Sequence, residues 1–151
     1  MVDRREQRVD LLLTARQQEE QAARRAFQEV LAEAEAAAKR LVALDAQLAS
    51  QSRAARTDLL GGRYVGEAYR ASAAELRREI GRGRGELRRI DKALDQRRQE
   101  LSGAMRRRRA AELLRDRLVA RRSAWRRQAE ARLLDDQHAA RVTGRPEAGR
   151  L

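Results

Sequence analysis

Asp58-Leu59-Leu60-Gly61-Gly62-Arg63-Tyr64-Val65 decides the fold of this chain, because Gly61 and Gly62 are its only adjacent glycines. Glycine reaches positive φ at little cost, so the pair is a natural place for a chain to reverse. Long amphipathic patterns lie on both sides of it. The reading is an all-α fold: a long antiparallel two-helix coiled-coil hairpin, the second helix longer than the first. The expected layout is one domain over 1–151, with a first helix at about 3–57, a turn at 58–65, a second helix at about 66–140 and a flexible tail at 141–151.

Working back from the turn, apolar residues recur in steps of four and three. The series is Val9, Leu13, Arg16, Glu20, Ala23, Phe27, Val30, Ala34, Ala37, Leu41, Leu44, Leu48. Ten of these twelve are apolar, and a 3.5-residue period held so long predicts a left-handed coiled-coil seam. Ser50, Ser52 and Thr57 weaken the helix, which is expected to end near Asp58. Charges elsewhere on this arm, such as Glu19, Glu20, Arg24 and Arg25, read as a solvated face with modest i,i+4 support.

Forward from the turn the repeat resumes: Tyr69, Ala73, Leu76, Ile80, Gly83, Leu87, Ile90, Leu94, Arg97, Leu101, Ala104, Arg108, Ala111. Beyond Ala111 the stripe is expected to slide and continue as Leu114, Leu118, Trp125, Ala129 and Leu133. Gly81-Arg-Gly-Arg-Gly85 lacks a preceding strand and a Gly-Lys-Ser/Thr ending, so it is no phosphate loop. It reads as the softest turn of the arm, or as a break into two helices. Val142-Thr-Gly-Arg-Pro146 is a stop signal, and Glu147 to Leu151 are expected to be disordered.

With the reversal at Gly62, residue 3 falls opposite about residue 121, and the second arm overhangs the first by some twenty residues. The overhang meets the densest charge. Residues 1–60 hold ten basic and ten acidic residues, so the whole net charge of +12 lies in 61–151. Residues 106–132 hold eleven arginines against three acids. Trp125, the single tryptophan, sits among Arg121, Arg122, Arg126 and Arg127. It either docks a partner or caps the seam against the N-terminus.

Composition excludes much else. Charged residues are 38% and aromatics 3%, so four aromatic rings cannot build a globular core. Ala, Leu, Arg, Glu and Gln are strong helix formers, and together they match a coiled coil. Without cysteine there is no disulfide or thiolate chemistry. No signal peptide is legible, and the longest apolar run is Leu11-Leu12-Leu13, too short to span a bilayer. The chain reads as soluble and cytoplasmic. His138 is the sole histidine and reads as a surface residue, so no triad or metal set can be assembled. Carboxylates on exposed helical faces have no concavity to shift their pKa. The chain is therefore expected to be no enzyme, with no catalytic, cofactor-binding or metal site.

The run Leu11-Leu-Leu-Thr-Ala-Arg-Gln-Gln-Glu-Glu-Gln-Ala-Ala-Arg-Arg-Ala-Phe27 resembles the opening of the FliJ family, the stalk and export-chaperone proteins of the flagellar type III export apparatus. Tyr64, Tyr69, Leu76 and Ile80 at the start of the second arm, the arginines before Leu113-Leu114, and Asp135, Asp136 and Gln137 also fit. The resemblance implies a non-enzymatic stalk of the export apparatus. Its termini end would dock in the hexameric flagellar export ATPase, promoting ATPase assembly and protein export. Its hairpin end would dock on the transmembrane export gate protein, and export chaperones are a further partner class. It would then lie at the cytoplasmic side of the inner membrane, bound to it only through partners. Gate contacts would fall by position around Leu41, Asp45, Leu48, Tyr69, Ser72 and Leu76, of which Leu41, Leu48, Tyr69 and Leu76 are the candidates retained. A bulky aromatic is usual at the place of Ser72, and Glu79 and Gly83 also depart from the family pattern. The candidate ATPase contacts are Arg121, Arg122, Trp125, Arg126 and Arg127, whose charge suits an acidic lining.

Three alternatives compete. The equivalent stalk of a virulence-type secretion system has the same layout. A basic coiled coil could bind nucleic acid with steep salt dependence, but interleaved acids and scarce aromatics offer no base-stacking surface and no sequence-specific partner. A structural scaffold is the third. Membrane-surface binding is disfavoured, since the basic face lacks an opposite face of large apolar residues.

Overall fold

The computed structural model of the chain describes residues 4–62, 64 and 66–144. Two helices make up the fold, α1 (Arg4–Leu60) and α2 (Glu67–Thr143), and α2 is the longer, with 77 residues against 57. No helix among the described residues is long and apolar enough to cross a membrane. The chain divides into two compact units: Gln18–Met105, which contains the turn, and Met1–Gln17 together with Arg106–Leu151.

The turn unit reverses at the glycine pair. The Gly61 amide donates to the Thr57 carbonyl at 3.0 Å, and the Gly62 amide to the Leu59 carbonyl at 3.1 Å. Gly62 takes φ of 74°, the left-handed conformation that ends helices and favours glycine. Arg63 and Val65, part of the expected turn, lie outside the described residues. After the reversal the helices run antiparallel. The Tyr69 hydroxyl donates to Ser52 Oγ at 3.4 Å and the Ser72 hydroxyl to Gln51 Oε1 at 3.3 Å. Farther along, Arg40 faces Glu86 at 4.0 Å. Each step back along α1 is matched by a step forward along α2.

Helix α1 outlasts the expected end near Asp58, reaching Leu60. Two of the three hydroxyls that were expected to weaken it, those of Ser52 and Thr57, are absorbed. Thr57 Oγ1 donates to the Arg53 carbonyl at 3.0 Å, and Ser52 accepts from α2. The seam also continues: Gln51, Ala55 and Asp58 extend the four-three spacing to the turn, none of them exposed. In the turn unit Ala34, Ala37, Ala73, Leu76, Ile80 and Ala104 are buried on this register. Glu20 is a buried seam position too, and its carboxylate accepts from Arg24 at 2.9 Å.

Helix α2 runs unbroken through Gly81, Gly83 and Gly85. The glycines are not alike. A Cβ on Gly83 would stand 2.9 Å from Leu41 Cδ2, whereas one on Gly81 meets nothing within 4 Å and one on Gly85 only the end of Arg88 at 3.8 Å. Gly83 is thus a seam position left hollow for Leu41. Gly81→Ala and Gly85→Ala are each expected to raise stability by about 0.5–1 kcal/mol in urea unfolding. Gly83→Ala should gain clearly less, because Leu41 has to move. Equal gains at all three positions would refute the hollow.

In the terminal unit, Val9 and Leu13 of α1 and Ala111 of α2 are buried. The expected slide of the stripe after Ala111 does not occur. Leu114 is exposed, while Leu118, Arg122 and Ala129 are partly covered, in the unbroken four-three spacing. The register passes through Arg115, which is exposed, to Arg122, which is partly covered, although the leucines suggest another. The Glu6 carboxylate accepts from Arg122 Nη1 at 2.6 Å, which fixes the pairing near the start of α1. Helix α2 ends at Thr143 rather than near Ala140. Thr143 Oγ1 bonds back to the Ala139 carbonyl at 3.0 Å and the Gly144 amide to Ala140 at 2.9 Å. Pro146 and Glu147 to Leu151 lie outside the described residues.

Candidate functional surfaces

The four gate candidates all belong to the turn unit and all occupy seam positions. Leu41, Leu48 and Tyr69 are half-buried, and Leu76 is 7% exposed. A seam residue spends its side chain on the partner helix, so Leu76 offers almost no surface of its own. Leu41 is different. With only hydrogen on Gly83, a shallow groove opens between the helices, lined by Ala37, Leu41, Leu44 and Gly83 and rimmed by Arg40, Arg82 and Glu86. One flank of Leu41 therefore faces solvent through a gap in the seam. Nearer the turn, Gln51, Ala55, Asp58, Tyr64 and Tyr69 line a second recess. Tyr64, Leu59 and Leu60 around the turn are strongly exposed.

The five ATPase candidates lie together on α2 in the terminal unit. Trp125 stands three residues past Arg122, the residue that binds Glu6 near the described start of α1. Trp125 is 69% exposed; residues 1–3, against which the alternative reading has it capping the seam, lie outside the described residues. Together with Gln128, Ala129, Arg132, Leu133 and Asp136 it lines an open notch on the helix. Arg121, Arg126 and Arg127 are exposed around it. Arg122 is the exception, since its guanidinium is engaged by Glu6. Arg127 Nε donates weakly to the Ser123 carbonyl at 3.4 Å. Much of the basic run before this segment is compensated locally. Arg108 and Arg109 both bind Glu112, and Arg115 binds Asp116 at 3.2 Å.

Sequence reasoning missed Glu6 as an interhelical partner, and it missed a cluster of exposed leucines at Leu11, Leu12, Leu113 and Leu114. The signal for the leucines was present. They stand one or two places before seam positions on both arms, where a coiled coil normally carries charge.

No curated protein and no solved structure matches the chain. The family model of the flagellar FliJ protein matches residues 5–148, covering all of α2 and all of α1 but Arg4. The chain belongs to the flagellar FliJ family, structural and chaperone-like components of the flagellar type III export apparatus.

Proposed function

We propose that this protein is the stalk of the flagellar export apparatus, docking its termini end in the hexameric export ATPase and its hairpin end on the transmembrane export gate. The observation that carries the reading is the overhang of α2. It presents an exposed tryptophan, framed by arginines, past the residues that pair with α1. A large aromatic ring in a charged rim is the composition of an interface hot spot. The arginines supply long-range attraction to an acidic lining and set the association rate more than the final affinity. Trp125 then anchors, while Arg121, Arg126 and Arg127 steer. Arg122 contributes by holding α1 in register through Glu6.

At the hairpin end, the groove over Leu41 beside Gly83 and the exposed edge of Tyr69 supply the gate contact. Leu48 and Leu76 hold those surfaces in place from within the seam. Docked this way, the protein works at the cytoplasmic side of the inner membrane and reaches it only through partners. It promotes assembly of the ATPase ring, and with it protein export, without chemistry of its own; export chaperones are a further class of partner.

The test is ATP turnover by the cognate export ATPase with and without this protein, at two salt concentrations, beside Trp125→Ala. Stimulation should survive the higher salt and fall at least severalfold in the variant. If turnover is unchanged while duplex DNA shifts in the same buffer, the basic arm serves nucleic acid and the stalk reading fails.

A further inference from the structure

The seam register also fixes what lies beside it. Arg40 and Glu86 each precede a seam position, Leu41 and Leu87, and they face each other along one flank of the helix pair. Leu12 precedes Leu13 by the same step, and Leu114 precedes Arg115. Leu12 lies 28 residues before Arg40, and Leu114 lies 28 residues after Glu86, four heptads on each helix. Leu12 and Leu114 are therefore the heptad equivalents of that facing pair, within the terminal unit. Leu11 and Leu113 precede them by one residue and stand on the outer side of the same flank. A coiled coil usually places charge at all four places. Here they are leucine, with Leu11 72% exposed and Leu12, Leu113 and Leu114 each about 40% exposed.

One heptad away the same positions hold Arg4, Arg5, Arg121 and Ala120 toward one end, and Arg106, Arg107, Gln18 and Glu19 toward the other, five arginines against one acidic residue. The described residues of the terminal unit hold sixteen arginines against seven acidic residues. We propose that the Leu11–Leu12–Leu113–Leu114 flank is a docking surface for an acidic amphipathic helix of a partner protein. Such a helix would lie along the two helices as a third strand of the bundle, leucines against its apolar stripe and arginines against its acidic margins. None of the four leucines is an ATPase or gate candidate; of the flanking arginines, Arg121 is shared with the ATPase assignment.

Charge selects this occupant. A second copy would set one arginine rim against another. An anionic membrane would meet a strip of only four leucines flanked by helical faces of mixed charge, with too little apolar area to insert. Nucleic acid would find no aromatic ring in the strip to stack on.

The experiment uses the full chain and a fluorescein-labelled, designed three-heptad helix with leucine on one face and glutamate on its margins. Fluorescence anisotropy should show binding, at least fivefold weaker to Leu11→Ala/Leu113→Ala. Those positions are exposed and alanine favours helix, so circular dichroism should report an unchanged fold. Leu11→Glu/Leu113→Glu should abolish binding, and a peptide with lysine margins should not bind. A loss smaller than fivefold in the alanine variant would mean that charge alone attracts the peptide, and would overturn the proposal. So would binding only to phosphatidylglycerol vesicles or to duplex DNA, or self-association of the chain that disappears in the alanine variant.

Discussion

Leu76→Ala is expected to lower the unfolding free energy by about 2–4 kcal/mol, read as a shift of the urea midpoint by circular dichroism. Leu76 is 7% exposed, so the truncated methyls come out of a contact between helices rather than out of water. Part of the cost is lost transfer free energy, and part is the space left behind. Two helices can close some of that space by moving together, which is why the upper end of the range for buried leucines is not expected. Leu60→Ala is the control: that side chain is 84% exposed, and the change should be within about 0.5 kcal/mol of zero. If both variants unfold alike, the seam assignment at Leu76 is wrong. The result also governs how gate experiments are read. A Leu76 variant that loses gate binding has first loosened the hairpin, so binding must be measured where the variant is still folded.

The second large effect runs against hydrophobicity. Ala73→Leu adds apolar area and keeps a strong helix former, yet it is expected to cost about 1–3 kcal/mol. Ala73 is 1% exposed, among the best covered residues described, and it sits where small side chains let the helices approach. A leucine there must push α1 away or adopt a strained rotamer. The same change at Ala54, which is exposed on α1, should be nearly neutral. Stabilisation by Ala73→Leu would mean that the helices have room to spare at this layer, contrary to the burial of Ala34, Ala37, Ala104 and Ala111 along the same seam.

These two residues illustrate what could be read from the chain alone. The period of 3.5 is a property of spacing, so Leu76 and Ala73 could be placed on the seam before any coordinates existed. So could the reversal at Gly62, because only glycine takes its φ without strain. Gly83 could not be understood that way. In sequence it is a helix-weakening residue, and only the position of Leu41 on the opposite helix turns it into a hollow. The stripe after Ala111 misled for a related reason. Leu114 attracts the eye as apolar but is exposed, while Arg122, which the register puts against α1, looks like surface. In a helix pair, position is set by the register of the whole helix and not by the best local residue. The gate candidates also stand on the seam, where Leu76 is almost covered while Leu41, Leu48 and Tyr69 keep part of their surface. Trp125 was legible because a lone tryptophan among arginines stands out against such a uniform background.

The uninterrupted four-three spacing from Glu6 to Asp58 along α1 also constrains how a protein of this kind can change in size. Deleting one residue from either arm would rotate everything beyond it by about 100° and turn its apolar stripe to water. Only whole heptads, gained or lost from both arms together, keep the two stripes facing each other. Each such step is about 10 Å of helix. Length here is a quantised trait: lineages that need a longer or shorter reach must move along a ladder of fixed rungs, and point insertions are silent only in the turn or in the part of α2 beyond the residues that pair with α1.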